Sequence, residues 1–138
     1  MGDGRSLGYQ REQEVSAPEI TEEDLKVVIE KGNGEKLNDV TSRLGKYYAS
    51  GRRQEKLSSS QIRNVLDRIQ RMGKYDNEKL QILRPLLAYA AGRHGGKVKE
   101  LQKIVDQAIR KVNNEKSFEN FKNFFEAIVA YHRYYGGE

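Results

Sequence analysis

The side chains that could carry acid–base chemistry are few: two histidines, His94 and His132, and no cysteine in 138 residues. Without cysteine there is no thiolate nucleophile, no disulfide framework and no usual structural zinc site. His94 has no acid or nucleophile at helical spacing, and His132 lies on the aromatic face of a C-terminal helical pattern, which predicts a core position. Some helical ribonucleases use an arginine separated from a histidine by four to six residues. The corresponding positions are Phe125, Glu126 and Ala127 before His132, and Leu87, Ala88 and Tyr89 before His94, so that motif is absent. No histidine–carboxylate cluster has metal-ligand spacing, and no glycine-rich loop closes on Gly-Lys-Ser/Thr. The sequence therefore predicts no catalytic residue, no metal and no cofactor.

Phosphate binding is the chemistry the residues do support. The formal net charge is +5, but residues 1–30 carry −5, whereas residues 43–72 carry +6. That basic stretch contains Arg43, Lys46, Arg52, Arg53, Lys56, Arg63, Arg68 and Arg71 against only Glu55 and Asp67. Such a local excess is the footprint of a surface for a polyanion. On charge alone a solvated basic face without a partner is an equal alternative. Tyr47, Tyr48, Tyr134 and Tyr135 lie near basic residues, where rings either stack on bases or simply pack.

Helices must position these groups. Thr21 can cap a first helix whose opening residues, Glu22, Glu23 and Asp24, suit the positive end of its dipole and whose apolar face is Leu25, Val28 and Ile29. Gly32-Asn33-Gly34 stops or bends it. A second pattern runs through Leu37, Val40, Leu44, Tyr47 and Tyr48 to Gly51. Leu57-Ser58-Ser59-Ser60-Gln61-Ile62 fits a capping box, with Ser58 as cap, Gln61 reaching back and Leu57 stapled to Ile62, and predicts a helix over about 58 to 72. On it, Ile62, Val65, Leu66, Ile69 and Met72 share one side, and Arg63, Arg68 and Arg71 share the opposite one.

Asp76 or Asn77 can cap the next helix. It carries Leu80, Leu83, Leu87 and Ala91 on one face and Ile82, Leu86 and Tyr89 on another, which predicts a central, buried helix. Pro85 either kinks it or starts it. After Gly95-Gly96, the positions Val98, Leu101, Ile104, Val105, Ala108 and Val112 form a surface helix with one buried stripe. Ser117 can cap a last helix with inner residues Phe118, Phe121, Phe125, Ile128 and His132 and edge residues Phe124 and Tyr131. No segment alternates with period two, so little or no sheet is expected. The fold class is all-α: a compact bundle of about five helices, with a flexible tail over residues 1–20 and one domain over 21–138. The opening residues Met1 to Ala17 lack an apolar core, and no stretch approaches the roughly 20 apolar residues of a membrane span, which predicts a soluble cytoplasmic protein without membrane contact.

Three blocks, LSSSQIRNVLDRI from Leu57, LRPLLAYAAGRHGG from Leu83 and SFENFKNFFEAIVAYHRYYGG from Ser117, resemble the small subunit of type III-A (Csm-type) CRISPR-Cas effector complexes. The resemblance covers about 80 residues, and the first 50 or so are not diagnostic. It implies a non-catalytic subunit, stacked in copies along the interior of the complex, that contacts the backbone of the guide RNA and target RNA beside other subunits. It places basic family positions at Lys56, Arg63, Arg84 and Arg93. Arg84 shares a helical angle with Leu80, Leu87 and Ala91, so an internal salt bridge is an equal reading for it, and Arg93 could serve only a helix end. With Lys46, Arg52, Arg53, Arg68 and Arg71, these are the candidate RNA-binding residues. A helical DNA-binding or ribosome-associated protein and a pure protein-interaction module are the alternatives.

Overall fold

Five of the six described helices begin where a side chain satisfies amides that the first turn leaves unpaired. The computed structural model describes residues 15–51 and 57–137. In α1 (Glu22–Ile29), Thr21 Oγ1 accepts from the Asp24 amide at 3.0 Å while Asp24 accepts from the Thr21 amide at 3.1 Å. That reciprocal pair and the Lys36 ammonium hold the Asp24 carboxyl below its ordinary pKa, the Thr21 amide contributing most. Gly32, at φ +65°, ends the helix outright, and Asn33 caps α2 (Gly34–Tyr48) through the Lys36 amide, so Gly32-Asn33-Gly34 is a stop and restart, not a bend.

Ser58 and Gln61 form the expected capping box of α3 (Ser59–Arg71), with Leu57 and Ile62 both buried beside it. Asp76 caps α4 (Asn77–His94), which runs through Pro85 without starting there. Gly95, at φ +67°, turns the chain into α5 (Gly96–Ile109). The cap of α6 (Glu115–Tyr134) is Asn114, and Ser117 stands three residues in as its reciprocal partner. Ser117 was expected to be the cap itself. Its hydroxyl is bonded to the Asn113 and Asn114 backbone and side chains, which leaves the capping position to Asn114. Among the described residues there are six helices and no strand.

The helix at the centre is α6, which packs against α1, α2, α3 and α5. It is the only one of the six with a run of large rings, and Phe118, Phe121, Phe124, Phe125 and Ile128 are all fully buried. Phe124, expected at the edge, is inside because α2 and α3 cover α6 from two sides and widen its buried arc. Tyr131 does sit at the edge, its hydroxyl reaching Asn38 Oδ1 at 3.4 Å.

The expectation of a central α4 is overturned. It packs chiefly on α5 through Leu80, Leu83, Leu87 and Ala91, while Ile82, Leu86 and Tyr89 stay 61%, 44% and 69% exposed. Apolar residues all round a helix ask for cover on both faces, and the described residues supply it on one.

Helices α2 and α6 approach each other closely at Gly45. A Cβ there would lie 2.6 Å from the Tyr131 Cβ and 2.7 Å from the His132 amide nitrogen, far inside contact distance with backbone that cannot step aside. Replacing Gly45 with alanine should therefore cost about 1 to 3 kcal/mol, as overpacking typically does. Phe125→Ala, which empties a fully buried site, should cost about 3 to 5 kcal/mol. Urea titrations of the two variants give both values, and a Gly45→Ala protein as stable as the parent would show that the helices separate freely.

Candidate nucleic-acid interface

The three arginines of α3 project away from its apolar stripe, as the helical angles require. Arg63, Arg68 and Arg71 are exposed, and none has an ion-pair or hydrogen-bond partner among the described residues. At about 100° per residue they span an arc of roughly 140°. They are thus a convex row of cations and not a pocket.

How α3 lies on α6 adds a fourth cation. Gln70 Nε2 donates to Glu126 Oε2 at 2.6 Å, and Lys122 Nζ donates to the Gly73 carbonyl at 3.2 Å, so the two helices run antiparallel. Stepping seven residues back from Gln70 and seven on from Glu126 moves the same way in space and pairs Arg63 with Arg133. Arg133 is exposed and without an ion pair among the described residues. Sequence reasoning passed over it, although its position one residue after the inward His132 turns it by about 100° onto the rim. Just beyond lie Tyr134 and Tyr135, and the Lys46 ammonium of α2 stands 5.9 Å from the Tyr135 ring centre.

Arg84 is engaged elsewhere. Its guanidinium makes a two-pronged contact to Asp106 of α5, Nε to Oδ1 at 2.6 Å and Nη2 to Oδ2 at 3.1 Å, with a further bond to Gln81. This pair clamps α4 on α5 and holds the Asp106 carboxyl below its ordinary pKa, with Arg110 assisting from the next turn. Arg93 is exposed near the end of α4, one turn beyond Tyr89. Arg52, Arg53 and Lys56 lie outside the described residues.

The places where the basic stretch leaves α2 and enters α3 are fixed by two residues that charge counting did not single out. Lys97 of α5 donates to the Tyr47 and Ser50 carbonyls, both at 2.8 Å, so it neutralises the negative end of α2. Its ammonium also lies 4.3 Å from the Tyr47 ring centre. The Tyr47 hydroxyl bonds the Glu100 carboxylate at 2.8 Å, and burial together with that anion pushes its pKa up to about 12. At the other side, the buried His132 meets the Leu57 carbonyl at 2.6 Å through Nε2. A carbonyl only accepts, so Nε2 carries the proton there. The Leu57 amide in turn donates to the Tyr48 carbonyl at 3.0 Å. His132 is thus a core residue, as the sequence predicts, while His94 is exposed at the end of α4. Among the described residues no group of three or more His, Cys, Asp or Glu side chains is arranged to hold a metal, and no helix is long and apolar enough to cross a membrane.

The lowered Asp106 pKa has a signed consequence. A carboxyl depressed in the folded state adds stability above its unfolded pKa and loses it as pH falls through the folded value. Asp106→Asn should therefore be less stable than the parent at neutral pH, and the gap should close as the solution is acidified below the normal carboxylate range. Urea midpoints taken at neutral and at strongly acidic pH test this, and a gap independent of pH would rule the ion pair out as its source.

The family model Csm2 Type III-A matches residues 31–138, a span that contains α2 to α6 whole and every described cation of the interface. No curated protein and no solved structure matches the chain. The matched region exceeds three quarters of the sequence and carries the helices that set the α2, α3 and α6 geometry, so the chain belongs to the Csm2 Type III-A family, the small subunit of the type III-A CRISPR effector complex.

Proposed function

We propose that this subunit is a non-catalytic binder of the RNA backbone, using the outward face of α3 and the adjoining end of α6 to hold the guide RNA and target RNA inside the effector complex. The observation that carries the reading is the row Arg63, Arg68 and Arg71, exposed and without ion-pair partners, backed by a complete apolar stripe. Cations kept off neighbouring carboxylates on a rigid helix are ready for phosphates, and phosphate contacts position a strand without reading it. Such a contact suits a complex in which base pairing provides the specificity. Arg52, Arg53 and Lys56 extend the same basic stretch and belong to the proposed contact set, as do Lys46 and, more remotely, Arg93. Arg84 does not, since Asp106 occupies its guanidinium.

The absence of catalysis is inferred from the histidines. His132 is bound in the core, and His94 has no acid at helical spacing, which leaves no acid–base pair of the usual kind among the described residues. The uncovered stripe Ile82, Leu86 and Tyr89 supports protein neighbours, further copies of this chain among them. A cytoplasmic location follows from the same reading.

Replacing Arg63, Arg68 and Arg71 together by alanine should weaken RNA binding about equally across sequences and leave thermal stability nearly unchanged. The slope of log affinity against log salt should flatten by roughly 2 to 3, about one for each lost phosphate contact. Titration of labelled RNAs at several salt concentrations measures both. A normally folded triple variant with unchanged affinity and slope would show this face to be ordinary solvated surface.

A further inference from the structure

We propose that the end of α6 is a base-stacking platform, on which Tyr134, braced by Tyr135 and flanked by Lys46 and Arg133, takes an unpaired base of single-stranded RNA. The proposal rests on the RNA-binding reading above and adds to it a contact with a base. Most aromatic side chains of the chain are accounted for. Four phenylalanines and Tyr48 are fully buried, Tyr47 is bonded to Glu100, Tyr131 reaches Asn38, and Tyr75 packs against Phe118. Tyr89 is exposed but belongs to the apolar stripe with Ile82 and Leu86. Tyr134 is different: it is 77% exposed, it follows Arg133 in the chain, and the ring it packs against, Tyr135, has the Lys46 ammonium 5.9 Å from its centre.

Its geometry fits a ring that receives another ring. Tyr135 meets Tyr134 edge-to-face, with centres 5.0 Å apart and planes at 80°, so one ring buttresses the other while solvent keeps access. Burying an exposed, already oriented ring costs little conformational entropy. The occupant is a base and not a phosphate, because the last carbonyls of α6 carry the negative end of the helix dipole towards these tyrosines. The phosphates flanking that base would fall to Lys46 and Arg133, with Arg63 next along the α3 row. Bases within a duplex have both faces covered, so the base must come from an unpaired position.

The test uses the full chain, a short unstructured single-stranded RNA, and an abasic oligonucleotide of the same length that keeps the phosphates. Tyr134→Leu should weaken binding of the RNA by about 5- to 150-fold, the range of one base–aromatic stack. It should leave the abasic affinity and the salt slope as they are, whereas the triple arginine variant weakens both ligands. The chain has no tryptophan, so Tyr134→Trp gives a single reporter whose emission should be quenched by the RNA and not by the abasic strand. If Tyr134→Leu binds RNA like the parent while the arginine variant is weakened, stacking is wrong and the phosphate reading stands. If the parent binds neither ligand, both readings fall. If Tyr134→Leu binds RNA normally but no longer joins the assembled complex, the rings hold a protein neighbour and the proposal is overturned.

Discussion

The fold turns on the crossing of α2 and α6 at Gly45, where the Tyr131 Cβ and the backbone of Tyr131 and His132 leave no room for a side chain on the glycine. Two relationships at the proposed interface depend on that contact. It seats His132 where Nε2 reaches the Leu57 carbonyl, which anchors the residue that staples the start of α3. It also sets Lys46, one residue after Gly45, near Tyr135 at the far end of α6. A methyl group at Gly45 would lift α2 off α6 and loosen both relationships together. Gly137 closes the arrangement from the other side, packed against the His132 ring with no room for a Cβ.

The helices were legible in the sequence where local chemistry decides them. Thr21 with Asp24, and Ser58 with Gln61, are capping pairs whose partners lie three residues apart, so nothing distant is required to form them. Asn114 was missed because Ser117 looks equally good in isolation; only the local network, in which the serine hydroxyl turns back to Asn113 and Asn114, separates them. The position of α4 was beyond local reasoning. Its composition states that two faces want cover, but which partner covers each is a question of tertiary and quaternary packing, and Ile82, Leu86 and Tyr89 find none among the described residues.

The candidate site was legible in part for the same reason. Arg63, Arg68 and Arg71 were found because an amphipathic helix fixes which side faces out, a property of one segment. Arg133 was not, because its relevance comes from the antiparallel register of α3 and α6, set by Gln70 with Glu126 and Lys122 with Gly73. Lys97 was hidden among many lysines and is distinguished only by the two α2 carbonyls it reaches from α5.

Ion pairing is what sorts this chain's described cations into those tied into the fold and those of the proposed binding set. Asp106 holds Arg84 and Arg110, Asp24 holds Lys36, Asp39 holds Arg43, Glu22 holds Lys111 and Glu119 holds Lys122. No described carboxylate claims the outward arginines of α3 or Arg133 at the end of α6. Exposed charges of this kind contribute little to stability in water, where an ion pair at the surface is worth about 0 to 1 kcal/mol. Leaving them unpaired therefore costs the fold almost nothing. Pairing them would do more harm to binding, since a phosphate would first have to displace the carboxylate. The acidic residues are concentrated in the first thirty positions, while α3 carries only Asp67, and that distribution keeps the α3 row positive while the core, built around the phenylalanines of α6, bears most of the stability.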